Sequence, residues 1–230
     1  MNEQHQLGAD SVFAWHWLKA DMTTGEGYEP PWTVGETRHC DGAIALCHNG
    51  YHHSPTPFDG LDYAPGPILC RVEASVPVEG EGDTYVSRSR RLIAYRNVER
   101  ELRLFACACA ERALMRERER GREPDERSWR AVEVSRRYAM GEADKAELVL
   151  AAESAAARSA WSAAWSAALS AARAAAESAA AAAARSAWSA ESAAESAAGG
   201  TAERAWQKER FNSTMIALFA LFALEGGANE

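Results

Sequence analysis

Between Ala151 and Ala198 the chain carries 27 alanines in 48 residues and neither proline nor glycine. Alanine is the strongest helix former, because it loses no side-chain freedom and hides no polar group on entering a helix. The stretch is therefore expected to be helical wherever the fold permits, and unbroken it would run roughly 70 Å at about 1.5 Å per residue. Gly199-Gly200 interrupts it, and Thr201 is placed to cap a last helix that ends at Leu224-Glu225-Gly226. A repeat lies inside the tract: Ala152-Glu153-Ser154 leads to Arg158-Ser159-Ala160-Trp161-Ser162, and Ala176-Glu177-Ser178 leads to Arg185-Ser186-Ala187-Trp188-Ser189. An alanine-faced rod has nothing of its own with which to cover Trp161, Trp165, Trp188 and Trp206. These indoles require either the chain's other helices, giving a helical bundle, or another protein. Whether the tract is one long helix or several packed ones stays open.

The preceding segment is also helical by pattern. Asn97 is a candidate N-cap, and Leu102, Phe105, Cys109 and Ala113 recur at three- to four-residue spacing until Gly121. Asp125 follows Pro124 and caps a second helix that carries Trp129, Val132 and Tyr138 and stops at Gly141. Asp144 with Glu147 three residues on forms a capping box for a third. Met115–Glu123 holds four arginines and three glutamates, and this balance fits a solvated helix end rather than a nucleic-acid groove.

The N-terminal part has the opposite character. Seven of eight prolines, ten of sixteen glycines and all six histidines lie before residue 83, a punctuation that favours short strands and loops. Val12–Leu18 and Pro67–Ala74 read as strands, and Phe58–Ala64 as one helical turn. The apolar run Ala43–Cys47 reads as structured up to a turn at His48-Asn49-Gly50-Tyr51. The expected fold class is α+β: a small mixed or antiparallel sheet module over residues 1–95, then an alanine-rich all-α bundle over 96–230, with the change near residues 88–97.

Charge follows the same division. Residues 1–90 hold 5 basic and 13 acidic groups, residues 91–150 hold 14 and 12, and residues 151–230 hold 6 and 8, so the first segment accounts for the formal charge of −8. An acidic chain is not a general phosphate-backbone binder, and no nucleic-acid partner is expected. No run of about 18 apolar residues appears, so no membrane-spanning helix is expected. The start, Met1-Asn2-Glu3-Gln4-His5-Gln6, lacks the basic-then-apolar pattern of a secretory signal. Together with five cysteines, an odd count, this predicts reduced thiols and a cytoplasmic location.

The densest chemistry is a histidine–cysteine cluster. Cys40, Cys47, His48 and His52 are the candidate metal ligands, because zinc takes thiolate and imidazole. No Cys-x-x-Cys pair accompanies them, Cys107 and Cys109 sit two apart on a helix and face apart, and no metal or other cofactor is expected. Trp15, Trp17, Tyr28 and Trp32 are expected in the core, with ligand stacking as the alternative. Gly50-Tyr51-His52-His53-Ser54 resembles the nicotinamide-cradling strand of ADP-ribosyltransferase-like folds. That resemblance implies an NAD-linked alternative in which His52 and His53 act with a glutamate, Glu73 or else Glu79.

Two further resemblances cover most of the chain. Ala14-Trp15-His16-Trp17-Leu18, Trp32-Thr33-Val34-Gly35-Glu36, Leu46–Ser54 and Asp59–Pro67 leading into Val72-Glu73 resemble, in order and spacing, a small domain of unknown function found in phages and in bacterial genomes with phage-like genes. It implies no catalytic residue. Leu104–Arg112, Pro124–Arg127, Ala131-Val132-Glu133 and Arg137–Glu142 look like an alanine-rich helical family of immunity proteins. Such proteins bind and block a toxin, so the resemblance implies a protein partner. The expected function is therefore a non-catalytic, immunity-like interaction protein of phage or phage-like origin, working in the host cytoplasm if phage-encoded. Its acidic N-terminal part would meet a basic toxin or a phage or host protein. A structural virion or scaffold component is the third possibility, and the oligomeric state is left open.

Overall fold

A computed structural model describes residues 11–25, 29–156 and 201–224. Those through Asn97, together with those from Met215 onward, form one compact unit, and the described part of Val98–Thr214 forms the other. The alanine tract beyond residue 156, its repeat, Gly199-Gly200, Trp161, Trp165, Trp188 and Tyr28 lie outside the described residues.

The first unit is built on two antiparallel sheets. The strands are β1 (Ser11–Leu18), β2 (Thr37–His39), β3 (Tyr51–His53), β4 (Ile68–Ser75), β5 (Val78–Glu81), β6 (Thr84–Ser87) and β7 (Ser89–Asn97). One sheet has the order β1-β4-β7-β2 and the other β3-β6-β5. Trp15 and Ser54 exchange backbone hydrogen bonds of 2.9 and 2.8 Å, bridging β1 to the residue after β3. Strand alternation decides what is buried. Ala14, His16 and Leu18 share a face with their register partners Val72, Cys70 and Ile68, and Leu92 joins them from β7. Trp32 completes this core, with Met22 and Tyr51 packed against it. On the opposite face Trp15 meets Phe219 edge-on, centroids 5.0 Å apart. The expected strands are present, and so is the expected helical turn, as a 3-10 turn over Leu61–Tyr63.

Two expectations need correction. Ala43–Cys47 does not run on into a turn at 48–51. Ala45 bonds back to Asn49 instead, and the Asn49 amide donates to the carbonyls of Asp41 at 2.7 Å and Ala43 at 2.9 Å, which folds the run onto itself. Gly50 then adopts φ +123°, and a Cβ there would stand 2.4 Å from a methyl of Val86, so β3 can lie this close to β6 only through a glycine. Asn97 is not a helix cap either. It ends β7, and Val98 holds the cap position without a side-chain cap bond. The chain's change of organisation thus follows a long strand that pairs with β4 from Arg90 to Asn97, across one register shift.

In the second unit the helices are α1 (Glu99–Glu119), α2 (Glu126–Ala139), α3 (Lys145–Ala156) and the first part of α4 (Thr201–Leu224). Leu102, Phe105, Cys109 and Ala113 of α1 are all buried, as their spacing requires. Gly121 and Gly141 take positive φ after α1 and α2. Glu203 is buried between Arg112 at 2.7 Å and Arg116, while the Arg112 guanidinium lies 4.3 Å over the Trp206 ring. Asp144 accepts from the Glu147 amide at 2.8 Å, whereas the Glu147 carboxylate turns to Arg137 at 2.6 Å. Asp125 caps α2 by accepting from the Arg127 amide at 2.9 Å. Asp125→Ala is expected to destabilise this unit by about 1 kcal/mol in urea unfolding followed by helical circular dichroism. No measurable change would mean that the cap is dispensable. Among the described residues no helix is long and apolar enough to cross a membrane.

Candidate functional site

Basic and aromatic side chains meet in the interior of the first unit. On β7, Arg90 shares the parity of Leu92, and with it the core-facing side of the sheet. Its guanidinium donates through Nη1 to the carbonyl of His52 and lies 4.6 Å over the Trp32 ring and 5.4 Å from that of Tyr51. Arg38, its register partner on β2, covers Trp32 at 4.0 Å. Trp32 donates to Glu29 Oε2 at 2.9 Å and packs edge-on against Tyr51 at 5.7 Å. Burial lowers Arg90 to about 10. His16, opposite Cys70, is held well below its ordinary value by burial and then by the charge of Arg90, so it is neutral near pH 7. Burial also pushes the Cys70 thiol up to about 12, which leaves it an inert core group.

The predicted site residues are spread over this region. His52 and His53 are neighbours on β3 and therefore point to opposite sides. His52 Nε2 accepts the Cys47 amide at 3.2 Å. His53 is buried, stacks on Tyr85 at 6.3 Å and lies 3.3 Å through Nδ1 from the Tyr51 carbonyl. Glu73 takes the Ser11 hydroxyl at 2.7 Å and Arg91 at 3.0 Å rather than either histidine, and its register partners Phe13 and Arg91 lie on the sheet face opposite Arg90. Glu79 is exposed on β5. Of the metal candidates, Cys40 is half-buried with its backbone bonded to Arg88, while Cys47 and His48 are exposed in the folded-back loop. Among the described residues no three histidine, cysteine or acidic side chains are grouped to hold a metal ion. Trp15, Trp17 and Trp32 are core residues.

Sequence reasoning passed over Arg90, Arg38 and Glu29. The available signal was the alternation Arg90–Leu92, which puts a guanidinium at a core position.

A second feature lies on the surface. β5 is an edge strand with Glu79 and Glu81 exposed, Asp83 follows in the turn, and the exposed Tyr63 hydroxyl donates to Asp83 at 3.2 Å beside Asp62. Partial burial and then the negative charge of Asp83 raise the Tyr63 phenol.

Residues 12–103 match a family model described as a domain of unknown function, DUF7666. The match runs from the second residue of β1 into the first turns of α1, so it takes in both sheets, the Arg90 centre and the acidic edge. The description carries no activity. No curated protein and no solved structure matches the chain.

Proposed function

We propose that the chain is a non-catalytic interaction protein, immunity-like and of phage or phage-like origin, whose N-terminal unit meets a basic protein partner. One observation carries this reading: among the described residues up to Arg90, five acidic side chains are exposed against one basic one, Arg88. Of the five basic residues in 1–90, Arg90 is buried, and Lys19, Arg38 and Arg71 are half-buried. Arg38 and Arg71 lie on aromatic rings, while Arg88 is exposed and donates to the carbonyls of Cys40 and Gly42. Asp21, Asp41, Asp62, Glu79 and Glu81 face solvent. The exposed charge of this segment is therefore predominantly negative, and such a field speeds encounter with a positive surface. Glutamates on the edge strand also discourage self-pairing through its free backbone groups, leaving that edge to a different partner.

The test is capture of a partner from the native host with wild-type protein and with the E79K/E81K double variant, followed by association kinetics. Both positions are exposed, so the variant should fold normally. A basic protein bound by the wild type, with an association rate about tenfold lower and less salt-dependent for the variant, is the expected result. Recovery of no stable partner, or equal rates for both proteins, would sink the proposal.

A further inference from the structure

We propose that Arg90 anchors a small oxyanion, a carboxylate or phosphate group, inside the N-terminal unit. Arg90 is 2% exposed, yet among the described residues it forms no ion pair. Nη1 is used by the His52 carbonyl, while Nε is buried and has no partner. The acid whose charge reaches it, Glu29, is engaged elsewhere, with Trp32 at 2.9 Å and Arg38 at 3.4 Å. Buried donors are almost always satisfied, and a buried cation is normally paired. What remains unpaired on Arg90 is the enclosed side of the guanidinium that carries Nε–H, and this side matches two oxygens of one anion through parallel hydrogen bonds.

The surroundings suit such a ligand. Trp32 is covered on its faces by Arg38 and Arg90, and Tyr51 abuts both Trp32 and Arg90, so the guanidinium is held before any ligand arrives. His16 supplies a second buried polar atom without a partner, Nε2, and it senses the charges of Arg90, His52 and His53. A neutral imidazole there can donate one hydrogen bond to an anion without adding a competing charge. With Arg90 so enclosed, only a small molecule or a single projecting group can reach it. This inference does not depend on the acidic edge or on the proposed protein partner.

The experiment uses the full chain, titrated separately with sodium phosphate and sodium formate against sodium chloride at matched ionic strength. The arginine Nε–H resonances are followed by NMR together with the thermal midpoint. A saturable shift of the Arg90 resonance with a rising midpoint is expected. Response to phosphate alone, to formate alone or to both identifies the oxyanion class, and each supports the site. Arg90→Lys keeps the charge but lacks the fork, and should weaken binding about tenfold or more. Because that substitution could disturb folding, the wild-type resonance stands as a test in its own right. If neither anion moves it beyond the chloride control, or if a folded Arg90→Lys protein responds equally, the proposal is wrong and ordered water satisfies Nε.

Discussion

Phe105→Ala is expected to destabilise the helical unit by about 3–5 kcal/mol, the range for removing a large aromatic side chain from a packed core. Phe105 is 6% exposed and meets Phe211 edge-on, centroids 4.9 Å apart and planes at 68°. The T-shaped pair adds roughly 1 kcal/mol beyond area burial, because the positive ring edge faces the negative ring face. Leu102 and Cys109, one turn to either side, are fully buried, so little can collapse into the space an alanine would leave. Urea unfolding followed by the helical circular dichroism signal measures the loss. A change below about 1 kcal/mol would mean that the stripe faces solvent and that the contact with Phe211 does not hold the helices together. A Phe105→Leu variant should recover roughly half of the loss, since most of the apolar volume returns.

The helical stripe could be read in advance because one periodic pattern fixes the buried face of a helix wherever its partner comes from. Gly121, Asp125 and Gly141 were legible for a similar reason, as helix boundaries depend on local backbone groups that a single residue satisfies or frees. The N-terminal unit gave away less. Val12–Leu18 and Ile68–Ser75 are continuous apolar or alternating runs, but β5 reads Val78-Glu79-Gly80-Glu81, with no strand propensity of its own. It is a strand because Val78–Glu81 pairs with Thr84–Ser87, which in turn pairs with β3. Likewise, nothing local to Ala43–Cys47 announces that Asn49 will bind two carbonyls behind it. The histidine–cysteine cluster drew attention by composition. Adjacency on β3 separates His52 from His53, however, and Glu73 is paired on the far face of the sheet. Arg90 was masked by its context, Arg88-Ser89-Arg90-Arg91, which looks like a solvated basic run. Only the pairing of β7 between β4 and β2 shows that its middle arginine is interior.

The N-terminal unit should lose stability steeply between about pH 6.5 and pH 4.5, and the histidines set the sign. His53 is 4% exposed and burial lowers it to about 4 from an ordinary value of 6.5, while His16 is lowered by burial and by Arg90. An unfolded chain accepts protons on both residues as pH falls through about 6.5, and the folded one declines them until much lower pH. The unfolded state therefore binds more protons in this window, and stability is present above it and is lost as pH drops. At about 1.4 kcal/mol per pH unit and per proton, His53 alone accounts for about 3 kcal/mol between 6.5 and 4, with His16 adding in the same direction. Glu36 is depressed by its bond to Arg38 and acts in the same sense, but only from its ordinary value of 4.5 downward, so measurements above about pH 5 isolate the histidines. Hydrogen exchange of peptides from residues 11–97 reads this unit separately from the helices. His53→Gln keeps a polar side chain of similar size without a titrating ring, and should reduce the slope by about one proton, or about 1.4 kcal/mol per pH unit. A protection profile flat from pH 7 to 5, or an unchanged slope in His53→Gln, would show that His53 takes up protons as readily in the folded state as in the unfolded chain.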